Sequence, residues 1–138
     1  MAKFEFSGAD GMDGKLAAMD RDMIRNIVMA GAEACAAEQH GLIGSYHHVR
    51  TGSMQQNVRP AKYHEDMNSG WVEVYPQGSD GRGVSNALKA FVINYGRGGR
   101  RTKKAGDKFI TGNKKKMEQV VSAAMQAESD RRIAEINK

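Results

Sequence analysis

Apolar residues recur three or four positions apart through the first third of the chain, which predicts a long helix. The helix should begin near Asp13 and end near Gly41, because glycine commonly terminates a helix. A second apolar line of Ile24, Val28 and Cys35 widens the face, so the helix should pack both on its own sheet and on another element. The main apolar line consists of Leu16, Met19, Met23, Ile27, Ala30 and Ala34.

Shorter segments show the alternation that is typical of strands. Phe4 and Phe6 alternate with charged residues, which predicts a short strand before the glycine-rich segment 8–14. Residues 42–70 hold glycine, proline and scattered apolar positions, so short strands joined by turns are expected there. The sequence Trp-Val-Glu-Val-Tyr at 71–75 predicts one strand with its two valines on one face.

The second half of the chain predicts two helices separated by a basic segment. Residues 86–95 fit one short helix that ends at Gly96. Residues 97–106 combine cations and glycines without a large apolar residue, which predicts a mobile basic loop. Phe109 and Ile110 should anchor the start of a C-terminal helix. The apolar stripe of that helix comprises Met117, Val120, Val121, Ala124 and Met125, and it resumes at Ile133 and Ile136.

Composition and charge narrow the class of protein. A chain of 138 residues with 40% hydrophobic content supports one core, so a single α+β domain over residues 1–138 is expected. The net charge of +5 arises from 16 acidic and 21 basic residues, so the position of the positive charge matters more than its sum. Cys35, the single cysteine, excludes an internal disulfide. No apolar run has the length of a signal peptide or a membrane span, which predicts synthesis as a soluble cytoplasmic chain with no membrane partner.

The residue patterns required for catalysis or metal binding are incomplete. Adjacent His47 and His48 would point to opposite faces of a strand, and no cysteine pair or His-Glu-x-x-His helix completes a zinc shell. Ser45 and Ser53 lie near histidines but lack a Gly-x-Ser-x-Gly elbow, and the glycine-rich segments lack a full Walker or dinucleotide fingerprint. We therefore predict that the chain is not an enzyme and holds no metal or cofactor. The histidines considered are His40, His47, His48 and His64.

Nine cations fall within the twenty residues 97–116. Such a cluster can neutralise phosphates without sequence preference, with binding that weakens steeply in salt. We favour the alternative of a loop that is solvated or pairs with a neighbouring subunit, because no aromatic residue between Arg97 and Lys108 is available to stack on bases. Three lysines at a helix start oppose the helix dipole, which points to a partner with a negative surface. The candidate interface or DNA-facing residues are Arg97, Arg100, Arg101, Lys103, Lys104, Lys114, Lys115 and Lys116.

Three segments, in this order, resemble a family of small tailed-phage proteins of the neck and tail-completion region. The first is a long helix after a short strand, here Leu16 to Gln39, which leads to residues 49–58 and their Arg50-Thr51-Gly52 sequence. That segment is similar to the family's Thr-Gly-x-Leu-x-x-Ser-Ile element, with Met54 in the place of leucine and Asn57-Val58 in that of Ser-Ile. The second is the strand at 71–75 and a glycine-rich break leading to Asn94-Tyr95-Gly96, which resembles the family's Glu-Phe-Gly or Glu-Tyr-Gly ending with asparagine in place of glutamate. The third is Gly-Asp-Lys-Phe-Ile at 106–110, where the family has a Pro-Phe pair before its last helix. This chain departs from the family just before that segment, because residues 97–106 stand where the family has Pro-Ala-Arg-Pro-Phe. The family-like residues are Arg50, Thr51, Gly52, Tyr95, Gly96 and Phe109.

The resemblance implies both a fold and a role. The implied α+β fold has a small antiparallel sheet packed against a long N-terminal helix and a C-terminal helix, with long flexible loops. The implied role is that of a structural virion protein, made in the host bacterial cytoplasm, that forms a hexameric or dodecameric ring in the neck at the head-tail junction. Its partners would be connector and tail-terminator or tail-tube proteins, with packaged DNA in the channel. The alternative is a non-specific nucleic-acid-binding protein that uses residues 97–116.

Overall fold

The computed structural model describes residues 21–66, 69–97 and 104–137, so the strand predicted at Phe4 and Phe6 lies outside the described residues. In chain order the elements are helix α1 (Arg21–Ser45), short helix α2 (Ser53–Gln56), strands β1 (Val58–Pro60), β2 (His64–Asp66), β3 (Ser69–Trp71) and β4 (Val74–Pro76), helix α3 (Asn86–Tyr95), strands β5 (Gly96–Arg97) and β6 (Lys104–Ala105), a 3-10 turn (Thr111–Asn113) and helix α4 (Lys114–Ile136).

The predicted α+β class is confirmed. Helix α1 contacts both α4 and strands β1 and β4, so it packs on another helix and on its own sheet, as predicted. Within the described residues the strands form three antiparallel pairs, which are β1 with β4, β2 with β3 and β5 with β6.

The single strand predicted at 71–75 is wrong. Trp71 ends β3 and pairs with His64, whereas Val74 begins β4 and pairs with Pro60. The chain therefore changes partner between these two residues, and it does so where Ala61 N donates to the carbonyl of Glu73 at 2.8 Å. Alternation along the sequence marked the extended backbone but could not reveal the change of partner.

The predicted helix end at Gly41 is also wrong, because α1 continues to Ser45. Leu42 and Ile43 follow the glycine and are 7% and 0% exposed. Burying these two side chains contributes about 1.5–3 kcal/mol each, more than the cost of roughly 1 kcal/mol for a glycine inside a helix. The helix stops two residues before His47, which has a positive φ of 61°.

The core is built where α1 and α4 cross. Gly31 permits close contact, because a Cβ there would lie 2.7 Å from Met125 Cγ. Phe109 and Ile110, the predicted anchors, are 0% and 4% exposed. The predicted stripe of α4 faces this core, with Met117 and Val121 fully buried. The cluster consists of Cys35, Leu42, Ile43, Met54, Ala90, Phe109, Ile110, Met117 and Val121.

Polar groups of α1 also reach the core. The amide Nε2 of buried Gln39 donates to the carbonyl of Val74 at 3.0 Å, which joins α1 to β4. Cys35 lies 3.6 Å from the sulfur of Met117, and burial raises the pKa of its thiol. The cysteine therefore behaves as a small core side chain.

Among the residues that the structure describes, no helix is both long enough and apolar enough to cross a membrane.

Candidate interaction surface

Helix α3 has well-defined ends that its sequence explains. The Ser85 hydroxyl accepts from the backbone N–H of Leu88 at 3.3 Å, which is an N-cap. Gly96 ends the helix with φ 92° and ψ 177°, a conformation that residues with a Cβ rarely adopt. The prediction of a helix over 86–95 that ends at Gly96 is confirmed.

The buried face of α3 is polar and small. Asn86, Ala90 and Asn94 lie four residues apart and are 0%, 4% and 1% exposed. Residues at this spacing share one side of a helix. The helix therefore docks on the domain mainly through two asparagines and an alanine, with Ile93 partly buried against the core beside them.

Asn86 joins the start of α3 to the segment that resembles the family's Thr-Gly element. Its Nδ2 donates to the carbonyl of Gln77 at 2.8 Å and to the hydroxyl of Ser53 at 3.1 Å. Ser53 opens α2 directly after Gly52, whose φ of 73° favours glycine. Met54, in the place of the family's leucine, is buried in the core.

Asn94 joins the end of α3 to the start of the C-terminal helix. Its Oδ1 accepts from the backbone N–H groups of Ile110 and Thr111 at 3.0 and 3.1 Å. A side-chain acceptor is needed here, because these N–H groups begin a helical segment and are buried or half-buried. An amide oxygen fills the position in which the resemblance expects a glutamate.

Gly106 completes this junction by close contact with the backbone. A Cβ at Gly106 would collide with the carbonyl oxygen of Asn94 and the carbonyl carbon of Tyr95. The next two residues, Asp107 and Lys108, donate their N–H groups to the carbonyls of Ile93 and Asn94 at 3.0 and 3.1 Å. The chain thus runs tightly along the end of α3 before Phe109 enters the core.

The outward face of α3 carries four large side chains. Leu88, Phe91, Val92 and Tyr95 are 56%, 44%, 36% and 51% exposed. They follow the i, i+3, i+4, i+7 pattern that normally marks a buried face, and the rings of Phe91 and Tyr95 lie 4.8 Å apart. We call these four residues the α3 face. A contiguous exposed apolar patch of this kind is typical of a protein–protein contact surface.

A small hollow of about 30 Å³ lies beside the α3 face. Phe91 and Tyr95 line it together with Gln39 and Asn94. Gln39 Oε1 and Asn94 Nδ2 are buried and have no hydrogen-bond partner among the described residues. The volume is that of about one water molecule.

The predicted basic residues fall into two groups on either side of the Asn94 junction. Arg97 is exposed on β5, and Lys104 lies opposite it on β6, so the ends of the segment predicted as a loop at 97–106 are paired strands instead. Arg100, Arg101 and Lys103 lie outside the described residues. The second group, exposed in the first turn of α4, consists of Lys114, Lys115 and Lys116.

Two of the three helix lysines have partners in their own chain. Lys116 Nζ lies 3.3 Å from Glu38 on α1, and Lys114 Nζ lies 3.9 Å from Glu118. Lys115 and Arg97 form no ion pair within the part of the chain that the structure describes. The charge available to a partner is therefore smaller than the sequence alone suggests.

The family-like residues have distinct positions. Gly52 and Gly96 adopt backbone conformations that favour glycine, and Phe109 is a core anchor. Tyr95 belongs to the α3 face. Arg50 and Thr51 are exposed, and the Thr51 hydroxyl accepts from Ser53 N at 3.4 Å.

The histidines are dispersed. His48 Nε2 lies 2.5 Å from Asp107 Oδ2, and the ring of His64 stacks on Trp71 at 4.2 Å. Within the described residues no three histidine, cysteine or acidic side chains are grouped so that they could hold a metal ion.

Reasoning from sequence missed the two buried asparagines and the outward direction of the α3 face. A signal for the two asparagines was present in the spacing Asn86, Ala90, Asn94, which places two amides and a small residue on one side of a helix. Comparison with protein-family models gave no match, and neither did comparison with curated proteins or with solved structures.

Proposed function

We propose that this chain is a structural virion protein of a tailed phage or phage-like particle, which assembles into a ring in the neck and helps complete or attach the tail. The observation that carries the proposal is the α3 face, whose large apolar side chains point away from the domain's own core. An assembling subunit needs such a surface, because burying it against another subunit removes it from water.

The arrangement around α3 supports the same role. Asn86 binds the first family-like segment and Asn94 binds the third, while the second forms α3 itself. The three segments that carry the resemblance are therefore parts of one contiguous structure. Together they hold a short helix at both ends, with its apolar side facing outward.

Ring assembly would give the basic residues a collective effect. Each copy would add Arg97 and Lys115 at an equivalent position, so a modest local charge would repeat around the axis. This ring of positive charge would face packaged DNA or an acidic connector, tail-terminator or tail-tube protein. Repetition of the contact in every subunit would strengthen a weak individual contact.

Native mass spectrometry of the purified chain tests the assembly. We expect a closed oligomer of six or twelve copies that dissociates when Phe91 is replaced by serine. A matched control is Ile136→Ser, which removes an apolar side chain that is 66% exposed at the far end of α4. A monomer at every concentration that can be reached would contradict the proposal, as would an oligomer that Phe91→Ser leaves intact.

The second candidate function is non-specific nucleic-acid binding. The exposed Arg97 and Lys115, which form no ion pair among the described residues, favour it. It predicts that the free chain binds duplex DNA with an affinity that falls steeply as salt is added. Fluorescence anisotropy with a labelled duplex separates the two functions. Tight, salt-sensitive binding by a monomeric chain would favour the second.

A further inference from the structure

The hairpin formed by β2 and β3 turns one side towards helix α1. Arg25 of α1 lies 5.7 Å from the centre of the Tyr63 ring, and Arg21 of α1 lies 3.8 Å from Glu65. The hydroxyl of Tyr63 lies against Gly70, where a Cβ would collide with it. Because neighbouring residues of a strand point to opposite sides, the residues between these contacts face away from α1.

Trp71 lies on that outward side of the hairpin. It is paired across the two strands with His64, and their rings stack with centroids 4.2 Å apart and planes inclined by 15°. Trp71 is nevertheless 48% exposed. A ring that is already held in place loses little conformational entropy when a partner covers it, and tryptophan is among the commonest interface anchors. The hairpin therefore presents a preformed aromatic contact.

The hairpin and the surroundings of the α3 face differ in the sign of their charge. Residues 63–74 contain three acidic side chains and no lysine or arginine. The described residues around the α3 face, 78–97 and 104–108, contain five lysines and arginines against two acidic side chains. An apolar surface with basic surroundings is complementary to an apolar surface with acidic ones. The acidic residues of the hairpin segment are Glu65, Asp66 and Glu73; those around α3 are Asp80 and Asp107, beside Arg82, Lys89, Arg97, Lys104 and Lys108.

The other exposed large apolar side chains among the described residues, outside α3 and the turn before it, lack this combination. Tyr46 and Val49 lie in a stretch without an acidic side chain. Ile136 follows Glu135, whose carboxylate already pairs with two arginines of its own helix. A second α3 face would bring like charges together. Trp71 is therefore the exposed apolar residue whose surroundings best match the α3 face.

We propose that the β2–β3 hairpin of one subunit, with Trp71 at its centre, binds the α3 face of the next subunit. Trp71 and the four residues of the α3 face are exposed in the same subunit, so the hairpin leaves the α3 face of its own copy uncovered. The inference rests on the proposed ring function and identifies the two surfaces that meet. The contact is heterologous, and repeated contacts of that kind generate a ring when the rotation closes.

Mixing two full-length variants tests the contact. The Trp71→Ser chain keeps its α3 face, and the Phe91→Ser chain keeps its hairpin. Neither should form the oligomer alone, because each lacks one of the two surfaces. Mixed in equal amounts, they should form a dimer with one chain of each kind, because one intact hairpin then meets one intact α3 face. Native mass spectrometry distinguishes the two chains by mass, and urea denaturation checks that each is folded.

The outcomes separate this contact from the ring function. A Trp71→Ser chain that assembles to the size of the unmodified chain would overturn the proposal and leave the ring function standing. Absence of the mixed dimer, when both variants are folded monomers, would overturn it as well. A monomer for the unmodified chain would remove both the ring and the contact. The Ile136→Ser chain is the control and should assemble like the unmodified chain.

A substitution series on the hairpin provides a second measurement. The Trp71→Ser chain should associate at least about 30-fold more weakly, the size expected for an anchor residue. The Trp71→Phe chain keeps an aromatic contact and should associate within about tenfold of the unmodified chain.

Ser69→Arg separates the contact from the folding of the hairpin. Ser69 is exposed and lies two residues from Trp71, on the same side of β3. The substitution keeps Trp71 and its stack on His64 but places bulk and positive charge against the basic surroundings of the α3 face. Association should weaken by about tenfold or more. A Ser69→Arg chain that associates like the unmodified chain would overturn the proposal, whatever the effect of Trp71→Ser.

Discussion

Helices α3 and α4 both carry apolar residues at helical spacing, yet they turn them in opposite directions. In α4, Met117 and Val121 are buried against α1, and the first-turn lysines face solvent. In α3, Asn86 and Asn94 are buried, and large side chains such as Leu88 and Tyr95 face outward. Local sequence established that each is a helix, whereas the neighbouring elements determined which side each one buries.

The difference shows where each helix obtains its stability. Helix α4 gains from apolar area removed from water within its own chain. Helix α3 is held at both ends by hydrogen bonds, which the side chain of Asn86 donates at one end and that of Asn94 accepts at the other. Ala90 is buried between them, and Ile93 is partly buried against the core. The exposed apolar area of the helix remains available for a second molecule, which is why we assign the contact surface to α3.

The largest expected effect on the free energy of unfolding distinguishes a phenylalanine in the core from one on the α3 face. Phe109→Ala should lower the free energy of unfolding by about 3–5 kcal/mol, because it empties a fully buried site. Phe91→Ala, at a position that is 44% exposed, should cost less than about 1 kcal/mol when measured on monomer. Urea denaturation at low protein concentration gives both values. Equal losses would mean that α3 is packed like α4.

The junction between the two helices should give the next largest effect. Gly106→Ala places a methyl group against the backbone of Asn94 and Tyr95, which cannot rotate away, and should cost about 1–3 kcal/mol. Gly81→Ala is the control, since a Cβ there meets no atom of the described residues within 4 Å, and its effect should stay within about 0.5 kcal/mol. Thermal unfolding of the two variants checks the difference; a tolerated alanine at 106 would contradict the close contact.

A smaller effect of opposite sign is expected in α1, the helix on which α4 packs. Gly41 is exposed within the helix, and a Cβ there meets nothing within 4 Å in the part of the chain that the structure describes. Gly41→Ala should therefore raise the free energy of unfolding by about 0.5–1 kcal/mol through helix propensity alone. Urea denaturation measures the change. A destabilised variant would show that α1 does not continue through Gly41.

The smallest effect concerns the turn that leads into α3. Lys89, together with the backbone N–H groups of Val84 and Arg82, lowers the pKa of Asp80 to about 2 from its ordinary value of 3.8. A lowered pKa contributes stability that is present above the unfolded-state value and is lost as the pH falls from about 4 towards 2. Asp80→Asn should lose less stability over that interval than the unmodified chain. Parallel acid-unfolding curves for the two chains would contradict this.

The sequence predicted the fold class and most helices because these depend on periodicity within one segment. Residues 86–95 became α3 with the predicted end at Gly96, and Phe109 and Ile110 became the predicted anchors. The exchange of strand partners between Trp71 and Val74 could not be predicted, because it depends on which distant strands are nearby. Likewise, the continuation of α1 past Gly41 depends on burial that only the folded core provides.

The candidate surface was less predictable than the fold. Sequence reasoning selected the cations, whose charge is visible in the composition, and two of them pair with Glu38 and Glu118 of the same chain. It assigned the apolar residues of 86–95 to a helix but could not tell whether they face the core or solvent, because an exposed and a buried apolar face have the same periodicity. Only the positions of Asn86 and Asn94 in the fold show that the face points outward.

Sedimentation velocity of the Phe91→Glu chain beside the unmodified chain tests the central claim most directly. A charge placed in the α3 face should prevent assembly and leave a folded monomer whose urea midpoint matches that of the unmodified chain under monomeric conditions. An oligomer of unchanged size in the Phe91→Glu chain would contradict the assignment of α3 as the surface that joins the subunits.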